Sequence, residues 1–255
     1  MTMARILAIE TATKICSVAL SDNGSVFAES TLHVPQVHVE RLVVCANEMM
    51  ENVHLNYADL DAVAVSNGPG SFTGLRIGLS VAKGIVFALD KKLIAVPTLD
   101  AIALKARDFA GERVVVPLLH ARAGEFYHAS FKIGGSGLVR LEEYGIAEAA
   151  EIANKFDKET LFVGEGVGAF LSNGAVTGKF SRDSMRVMDA SAREVAMLAI
   201  DRFSRGEFSD LRSLAPLYIK DFVAIKGNPL SKLSRKKSAD GSSDGARRES
   251  GVEKS

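Results

Sequence analysis

The chain opens with short apolar runs separated by turn-forming residues, a pattern typical of β-strands. Residues 6–9 and 16–20 form the first two runs, and the turn at residues 22–24 leads into a third strand through Val26 and Phe27. These three runs predict an antiparallel meander.

Helical periodicity follows the meander. Apolar residues recur at helical spacing over residues 38–53, which predicts an amphipathic helix. A short buried strand over residues 61–66 and a second helix over 75–89 come next. Ile94 and Val96 mark a further strand, and a helix is predicted over residues 99–109.

The same order of elements then starts again. Strands are predicted over residues 114–119, 125–133 and 138–144, the last two joined by Gly-Gly-Ser-Gly, and a helix over 147–156 follows. A strand ends in the Gly164 turn, and a final helix begins at the N-cap candidate Ser191 and ends at Gly206. Three strands, a helix, a strand and a helix thus occur twice, which predicts a duplicated α/β unit.

The turn before the second helix carries the strongest local motif, GPGSFTGLRIG. Gly68, Pro69 and Gly70 reverse the chain after a strand, and Ser71 is placed to cap the helix, whose N-terminus attracts anions. The glycine spacing matches neither a Walker loop nor the dinucleotide fingerprint. A structural turn and an anion-binding loop therefore both remain open.

The second helix is apolar on two faces, so we expect both faces to be buried. One face packs on its own sheet, and the glycine-bearing face allows a second helix to approach closely. That helix belongs either to residues 38–53 of this chain or to another protein. We expect the anchor residues of such an interface to be Leu42, Ala46, Met49, Leu75, Leu79 and Ala82.

The residues Glu10-Thr11-Ala12-Thr13 form the turn between the first two strands. In sugar-kinase-like and actin-like ATPases, a hairpin of this kind wraps the phosphates of the nucleotide. A glycine normally permits that close approach, and here Ala12 or Thr13 would have to replace it. The loop residues that we keep as candidates for a nucleotide, an anion or an interface are Glu10, Thr11, Thr13, Gly68, Gly70 and Ser71. The segment from Arg122 to Tyr127 either lines a cleft between lobes or forms a plain hairpin.

The composition narrows the functional classes. Lysine plus arginine and aspartate plus glutamate are equal at 31 each, so no global charge attracts nucleic acid or a membrane. No run resembles a signal peptide or an uncharged membrane span, which predicts a cytoplasmic protein. Cys16 and Cys45 lack metal or disulfide spacing and are expected to be buried thiols.

A metal site is not expected. His38 and Glu40 suggest a helical ligand pair, but position 42 is Leu where a second histidine ligand would stand. No nucleophile arrangement is evident either. The sequence therefore predicts no catalytic residue, no metal and no cofactor.

The last 28 residues differ in composition from the rest of the chain. Residues 228–255 hold seven basic and four acidic residues among serines and glycines, which predicts a disordered polar tail. Either it only aids solubility or its basic cluster near Lys236 contacts RNA weakly.

With these motifs in view, the chain resembles the TsaB (YeaZ) family. The resemblance covers residues 4–222 and rests on ILAIETATKICSVAL, HVERL, GPGSFTGLRIGLSVAKG, VPTLDAIA, ARAGEFY, VGEGVGAF and APLYIKD. It implies two ribonuclease-H-like lobes of the actin and sugar-kinase (ASKHA) superfamily. Glu10 and His120 depart from the family, which usually carries Asp at both positions.

The resemblance also implies a function. Such a protein is a non-catalytic dimerisation subunit in the synthesis of N6-threonylcarbamoyladenosine at position 37 of tRNA, where it activates the catalytic paralogue TsaD together with the ATPase TsaE. A homodimer in the absence of TsaD stays open, and contact with tRNA is expected only indirectly or through the basic tail. The alternative is an ATP-dependent kinase of the same superfamily.

The expected domain organisation follows from the duplication. Residues 1–99 form the first lobe with the partner-binding helices, and residues 100–227 form the second lobe. The last helix of the second lobe packs back on the first, and residues 228–255 form the tail.

Overall fold

Five strands form the first sheet of the computed structural model, which describes residues 4–33, 38–122, 124–135 and 137–219. They are β1 (Ile6–Glu10), β2 (Cys16–Asp22), β3 (Ser25–Leu32), β4 (Ala62–Gly68) and β5 (Lys92–Pro97), in the order β3-β2-β1-β4-β5. The first three strands pair antiparallel, and β4 and β5 run parallel to β1. The predicted meander is confirmed.

The helices next to this sheet are α1 (His38–Asn52), α2 (Phe72–Leu89), α3 (Thr98–Lys105) and α4 (Arg107–Ala110), with a 3-10 turn at Tyr57–Asp59. The first two were predicted, although α2 begins three residues early. The single helix predicted over residues 99–109 is wrong. The chain bends at Ala106, whose N–H bonds to the carbonyl of Ala103 at 3.0 Å in the tighter 3-10 pattern.

The second sheet contains β6 (Val115–Arg122), β7 (Glu125–His128), β8 (Phe131–Gly134), β9 (Gly137–Arg140), β10 (Gly145–Glu148), β11 (Leu161–Val163) and β12 (Met185–Arg186). The strand predicted over 125–133 is divided into β7 and β8. The reason is a change of partner: β7 pairs with the far end of β6, whereas β8 pairs with β6 at Val115 and with β9. The strand predicted over 138–144 ends early, at Arg140, and β10 begins only at Gly145.

The remaining helices are α5 (Ala149–Lys155), α6 (Val167–Leu171) and α7 (Ala192–Ser204), with a 3-10 turn at Arg182–Ser184. The short helix α6 was not predicted. The N-cap prediction for α7 is confirmed, because the Ser191 hydroxyl accepts from the N–H of Arg193 at 3.3 Å.

Both sheets have one topology, which confirms the predicted duplication and the ribonuclease-H-like fold. The main path of the second sheet is β10-β7-β6-β11-β12, with two antiparallel pairs followed by two parallel pairs. Along this path the second sheet matches the first strand for strand, and β8 and β9 are additions to it.

Three apolar cores lie between the layers. The middle core holds α3 and α7 between the two sheets, and the outer cores hold α1 and α2 on the first sheet and α5 and α6 on the second. The N–H of Ala192 in α7 donates to the Ser17 hydroxyl of β2 at 3.1 Å. The division at residue 99 stays a prediction, and the predicted disordered tail, residues 228–255, lies outside the described residues.

Cys16 and Cys45 are both free and buried, as predicted. Burial raises the pKa of the Cys16 thiol to about 11, with a smaller contribution from Cys45. Such a thiol stays protonated and unreactive near neutral pH.

Among the described helices, α2 has the length and mean hydropathy, 1.5 over 18 residues, of a membrane-crossing segment. It nevertheless carries Arg76 and Lys83. Its inner face is buried against its own sheet through Gly74, Leu75, Gly78, Leu79, Ala82 and Val86. We interpret α2 as a core helix of this fold.

Candidate functional site

A cleft of about 1290 Å³ opens between the two sheets. One wall is the β1–β2 turn with the N-terminus of α2, and the other is the end of β6 with β7 and the glycine turn after β11. Its lining residues are Ala12, Thr13, Lys14, His33, Glu40, Gly70, Ser71, Phe72, Thr73, Gly74, Ile77, Leu119, His120, Ala121, Tyr127 and Glu165.

Glu10 lies at the base of the β1–β2 turn and is fully buried. One carboxylate oxygen accepts from the N–H of Ala12 at 2.6 Å, and the other accepts from the hydroxyl of Ser66 on β4. Burial raises the pKa of Glu10 to about 7, although these hydrogen bonds favour its charged form. Glu10 therefore holds the turn in place from below and does not line the cleft.

The glycines of the motif are explained by the approach of α2 to this turn. A Cβ at Gly70 would overlap the carbonyl of Ala12, and one at Gly74 would overlap the carbonyl of Thr11. A Cβ at Gly78 would collide with the Thr11 hydroxyl. Only glycine permits such contact, so the motif serves packing between α2 and the hairpin.

Two amide groups at the start of α2 are used inside the chain. The N–H of Ser71 donates to the carbonyl of Ala12 at 2.7 Å, and the N–H of Gly74 donates to the Ser71 hydroxyl at 3.2 Å. The Thr11 hydroxyl donates to the carbonyl of Gly74 at 2.7 Å. The predicted Ser71 cap is confirmed, and two N–H groups that a phosphate would need already have partners.

The predicted loop residues divide into two groups. Thr13, Gly70 and Ser71 line the cleft, whereas Glu10, Thr11 and Gly68 lie outside its lining. Gly68 adopts a φ of 116° and packs near the carbonyl of Leu217.

The segment after β6 contributes one predicted cleft residue, Tyr127, together with His120. Arg122 and Glu125 are not among the lining residues, and their side chains face each other at 3.5 Å across the hairpin. The ring of His120 meets Phe126 edge-on at 5.8 Å. The segment therefore forms a hairpin and also contributes to a wall of the cleft, so the two alternatives predicted from the sequence do not exclude each other.

Lys14 and Glu165 were missed by the sequence reasoning. Their side chains join the two walls of the cleft at 3.1 Å. Glu165 lies between Gly164 and Gly166, which repeat the Gly68 and Gly70 turn. The N–H of Gly166 donates to the carbonyl of Leu118 at 3.0 Å, as that of Ser71 does to Ala12. This internal repeat was the signal that could have found the residue.

The described ranges contain no group of three or more His, Cys, Asp or Glu side chains placed to hold a metal ion. His33 and His120 line the cleft, but His33 faces Asp189 at 3.7 Å and His120 packs on Phe126. Both histidines of the cleft therefore have a neighbour within the chain.

The six predicted partner anchors lie in the core of the chain and not on its surface. Each is less than 7 % exposed, because α1 and α2 turn these side chains towards the first sheet: Leu42, Ala46, Met49, Leu75, Leu79 and Ala82. This corrects the choice of residues, since a side chain so buried reaches no partner in this conformation.

The outer faces of the same helices carry different residues. Val43 is 47 % exposed and Val44 is 37 % exposed on α1, and Ser80, Gly84 and Ala88 are exposed along α2. Gly84 stands out because an added Cβ would meet nothing within 4 Å. Glycine inside a helix costs about 1 kcal/mol relative to alanine, and nothing in the described chain requires it there.

Comparison with known proteins then decides the family. The Escherichia coli (strain K12) protein named "tRNA threonylcarbamoyladenosine biosynthesis protein TsaB" is 32% identical over 229 residues, which cover 88% of this chain and 98% of that protein. This chain belongs to the TsaB family. The protein of the same name from Bacillus subtilis (strain 168) is 29% identical over 62% of this chain and 70% of its own length.

This chain also resembles a transferase family. The family model described as "TsaD: tRNA N6-adenosine threonylcarbamoyltransferase" matches residues 32–197. The Anaplasma phagocytophilum (strain HZ) protein named tRNA N6-adenosine threonylcarbamoyltransferase is 36% identical over 129 residues, 45% of this chain and 37% of that protein.

Solved structures agree with the TsaB fold. "YeaZ from Pseudomonas aeruginosa" superposes with a TM-score of 0.73 at 25% identity, over 85% of this chain and all of that one. A second Pseudomonas aeruginosa structure, described as similar to peptidase YEAZ, gives a TM-score of 0.75 at 25% identity over 86% of this chain.

Proposed function

We propose that this chain is the non-catalytic dimerisation subunit in the synthesis of N6-threonylcarbamoyladenosine at position 37 of tRNA. It binds the catalytic paralogue TsaD through the outer face of α1 and α2 and thereby activates it, with the ATPase TsaE as a further partner, in the cytoplasm. The role in threonylcarbamoyladenosine biosynthesis follows from the family. The observation that carries the partner role is the exposed outer face of α1 and α2, which includes Gly84.

The packing of Gly84 supports a helix as the partner element. An exposed glycine in the middle of an 18-residue helix weakens that helix, and no neighbour in the described chain uses the free space. Close approach of another helix would use it, because the absent side chain lets two backbones come near. Val43 and Val44 on α1 supply the apolar surface around that contact.

The charges of the two helices are complementary. Helix α1 carries Glu40, Glu48 and Glu51 against Arg41, whereas α2 carries Arg76 and Lys83 and no acid. A partner of similar fold, related by an approximate two-fold axis, would place its α1 against α2 of this chain. Opposite charges would then face each other across the contact.

The cleft supports the scaffold over the kinase alternative. The N–H groups of Ser71 and Gly74 are bonded within the chain, and Ala12 fills the place where a phosphate hairpin needs a glycine. Calorimetry of the isolated chain with ATP separates the two functions. Micromolar affinity with turnover of a hydroxylated substrate would favour the kinase.

Association with the paralogue tests the proposed surface directly. We expect Gly84→Arg and Val43→Arg to weaken co-purification with the TsaD-type partner by about tenfold or more, because each places a charged side chain in an apolar contact. Folding is retained, since both positions are exposed and arginine is the better helix former at position 84. The readouts are the binding isotherm, the thermal midpoint and the threonylcarbamoyladenosine content of tRNA.

The matched control is Val139→Arg in β9. Val139 is 47 % exposed, as Val43 is, but lies on the second sheet. It should leave association unchanged. Full association of both helix variants would overturn the proposed surface. Substitution of Ala46 or Leu79 would test only the core, since both are buried.

A further inference from the structure

Two arginines converge on one backbone oxygen at the outer edge of the second sheet. Arg113 precedes β6, and Arg186 lies in the edge strand β12. Their Nη1 atoms donate to the carbonyl of Asp183 at 3.2 Å and 3.4 Å. The backbone of Arg182 belongs to the same turn, and its side chain is exposed.

Backbone contacts hold both guanidinium groups in place. Arg113 also donates to the carbonyls of Ala110, at 3.1 Å, and Phe109 at the end of α4. Arg186 donates to the carbonyl of Met185 at 2.8 Å, and its Cζ lies 5.9 Å from the Phe109 ring. The two cations are therefore ordered before any ligand arrives, which lowers the entropy cost of binding.

No carboxylate neutralises this pair within the described residues. Arg5, Arg107 and Arg205 each have a carboxylate within ion-pair distance, but Arg113, Arg182 and Arg186 have none. Glu112 and Asp183 are neighbours in sequence, yet neither forms an ion pair with these arginines. Like charges this close repel each other, and an anion bound between them removes that cost.

We propose that Arg113, Arg182 and Arg186 form a binding site for a phosphate group. Planar guanidinium groups match the geometry of phosphate oxygens, and three of them around the Arg182–Ser184 turn can hold a dianion or adjacent phosphodiesters. The group comes either from the backbone of an RNA or from free phosphate. The RNA source rests on the proposed function, since the substrate of that pathway is a tRNA.

Binding by the full-length chain tests the site with two probes. Inorganic phosphate is titrated by calorimetry, and a fluorescent RNA stem-loop is titrated by anisotropy over a series of salt concentrations. For Arg182→Gln with Arg186→Gln we expect about tenfold weaker binding of the recognised probe. If that probe is RNA, the slope of log K against log salt should fall by about 2.

The matched control is Arg193→Gln with Arg205→Gln on and beside α7, which removes the same charge elsewhere. If the site variant, but not the control variant, binds phosphate more weakly, the site is one for free phosphate. If the site variant, but not the control variant, binds RNA more weakly, the site is one for RNA. Equal losses in site and control variants, or no loss in either, overturn the proposal. Because the partner assay uses other residues, its failure and the failure of this site are distinguishable.

Discussion

Glu10 is a fully buried carboxyl group that forms no ion pair with any described lysine or arginine. Its partners are the Ser66 hydroxyl and the N–H groups of Ala12 and Thr13, and Asp189 raises its pKa slightly further. A carboxyl group that titrates near neutral pH below the β1–β2 turn makes the stability of this turn depend on pH.

The sign of that dependence is fixed by the pKa of Glu10. The unfolded chain ionises this group near 4.5 and the folded chain near 7, so its contribution to stability is present below 4.5 and lost as the pH rises towards 7. We expect a loss of up to about 3 kcal/mol in the free energy of unfolding. Urea unfolding at pH 5, 6 and 7 measures it. Glu10→Gln should flatten the profile, and parallel profiles of the two proteins would contradict the assignment.

At the scale of elements, α3, α7 and the turn before β10 are joined by a polar contact at the edge of the middle core. The Tyr144 hydroxyl donates to Asp100 at 2.7 Å, and Arg202 of α7 lies 3.5 Å from the other carboxylate oxygen. Burial raises the pKa of Asp100, and these two partners lower it again. The buried Asp100 carboxylate thus connects α3, which precedes β6, with Tyr144 and α7, which follow it.

Removing the Tyr144 hydroxyl should therefore be costly. We expect Tyr144→Phe to lower the free energy of unfolding by about 1–3 kcal/mol, because a buried carboxylate oxygen loses its donor. Tyr57→Phe is the control, since the Tyr57 hydroxyl makes a bond of the same 2.7 Å length to Asn47 at an exposed site. Denaturant unfolding compares the two. Equal effects would show that the Asp100 contact has no special weight.

At the scale of the whole molecule, the two sheets share one core. Ile6 and Ala64 of the first sheet and Phe131 and Val163 of the second belong to the same apolar cluster, with α3 and α7 between them. The segment after α7 returns to the first sheet, where the N–H of Ser209 donates to the carbonyl of Leu93 at 2.8 Å. Neither half buries its apolar surface alone.

We therefore expect one cooperative unfolding transition. Opening either sheet exposes the middle core of both, so no intermediate with one folded lobe should accumulate. Differential scanning calorimetry should give equal calorimetric and van't Hoff enthalpies. Two resolved transitions would mean that the lobes are independent and that the predicted division at residue 99 is a thermodynamic boundary.

Local patterns in the sequence determined most of the elements. The meander, α1, α2 and the Ser71 and Ser191 caps depend on residues close together in the chain, where periodicity and capping chemistry are visible. The repeated order of elements also predicted the duplicated fold, because the order alone restricts the topology.

Only the tertiary structure decided which face of each helix is buried. Helix α2 is apolar on two faces, so its sequence could not say that Leu79 faces the sheet and Gly84 faces outwards. The break after His128 depends on pairing with β6, which is distant in sequence. The Lys14–Glu165 ion pair also joins residues distant in sequence, and so does the Asp183 carbonyl that accepts from both Arg113 and Arg186. Such pairings arise when the sheets pack, because side chains remote along the chain become neighbours only in the folded state.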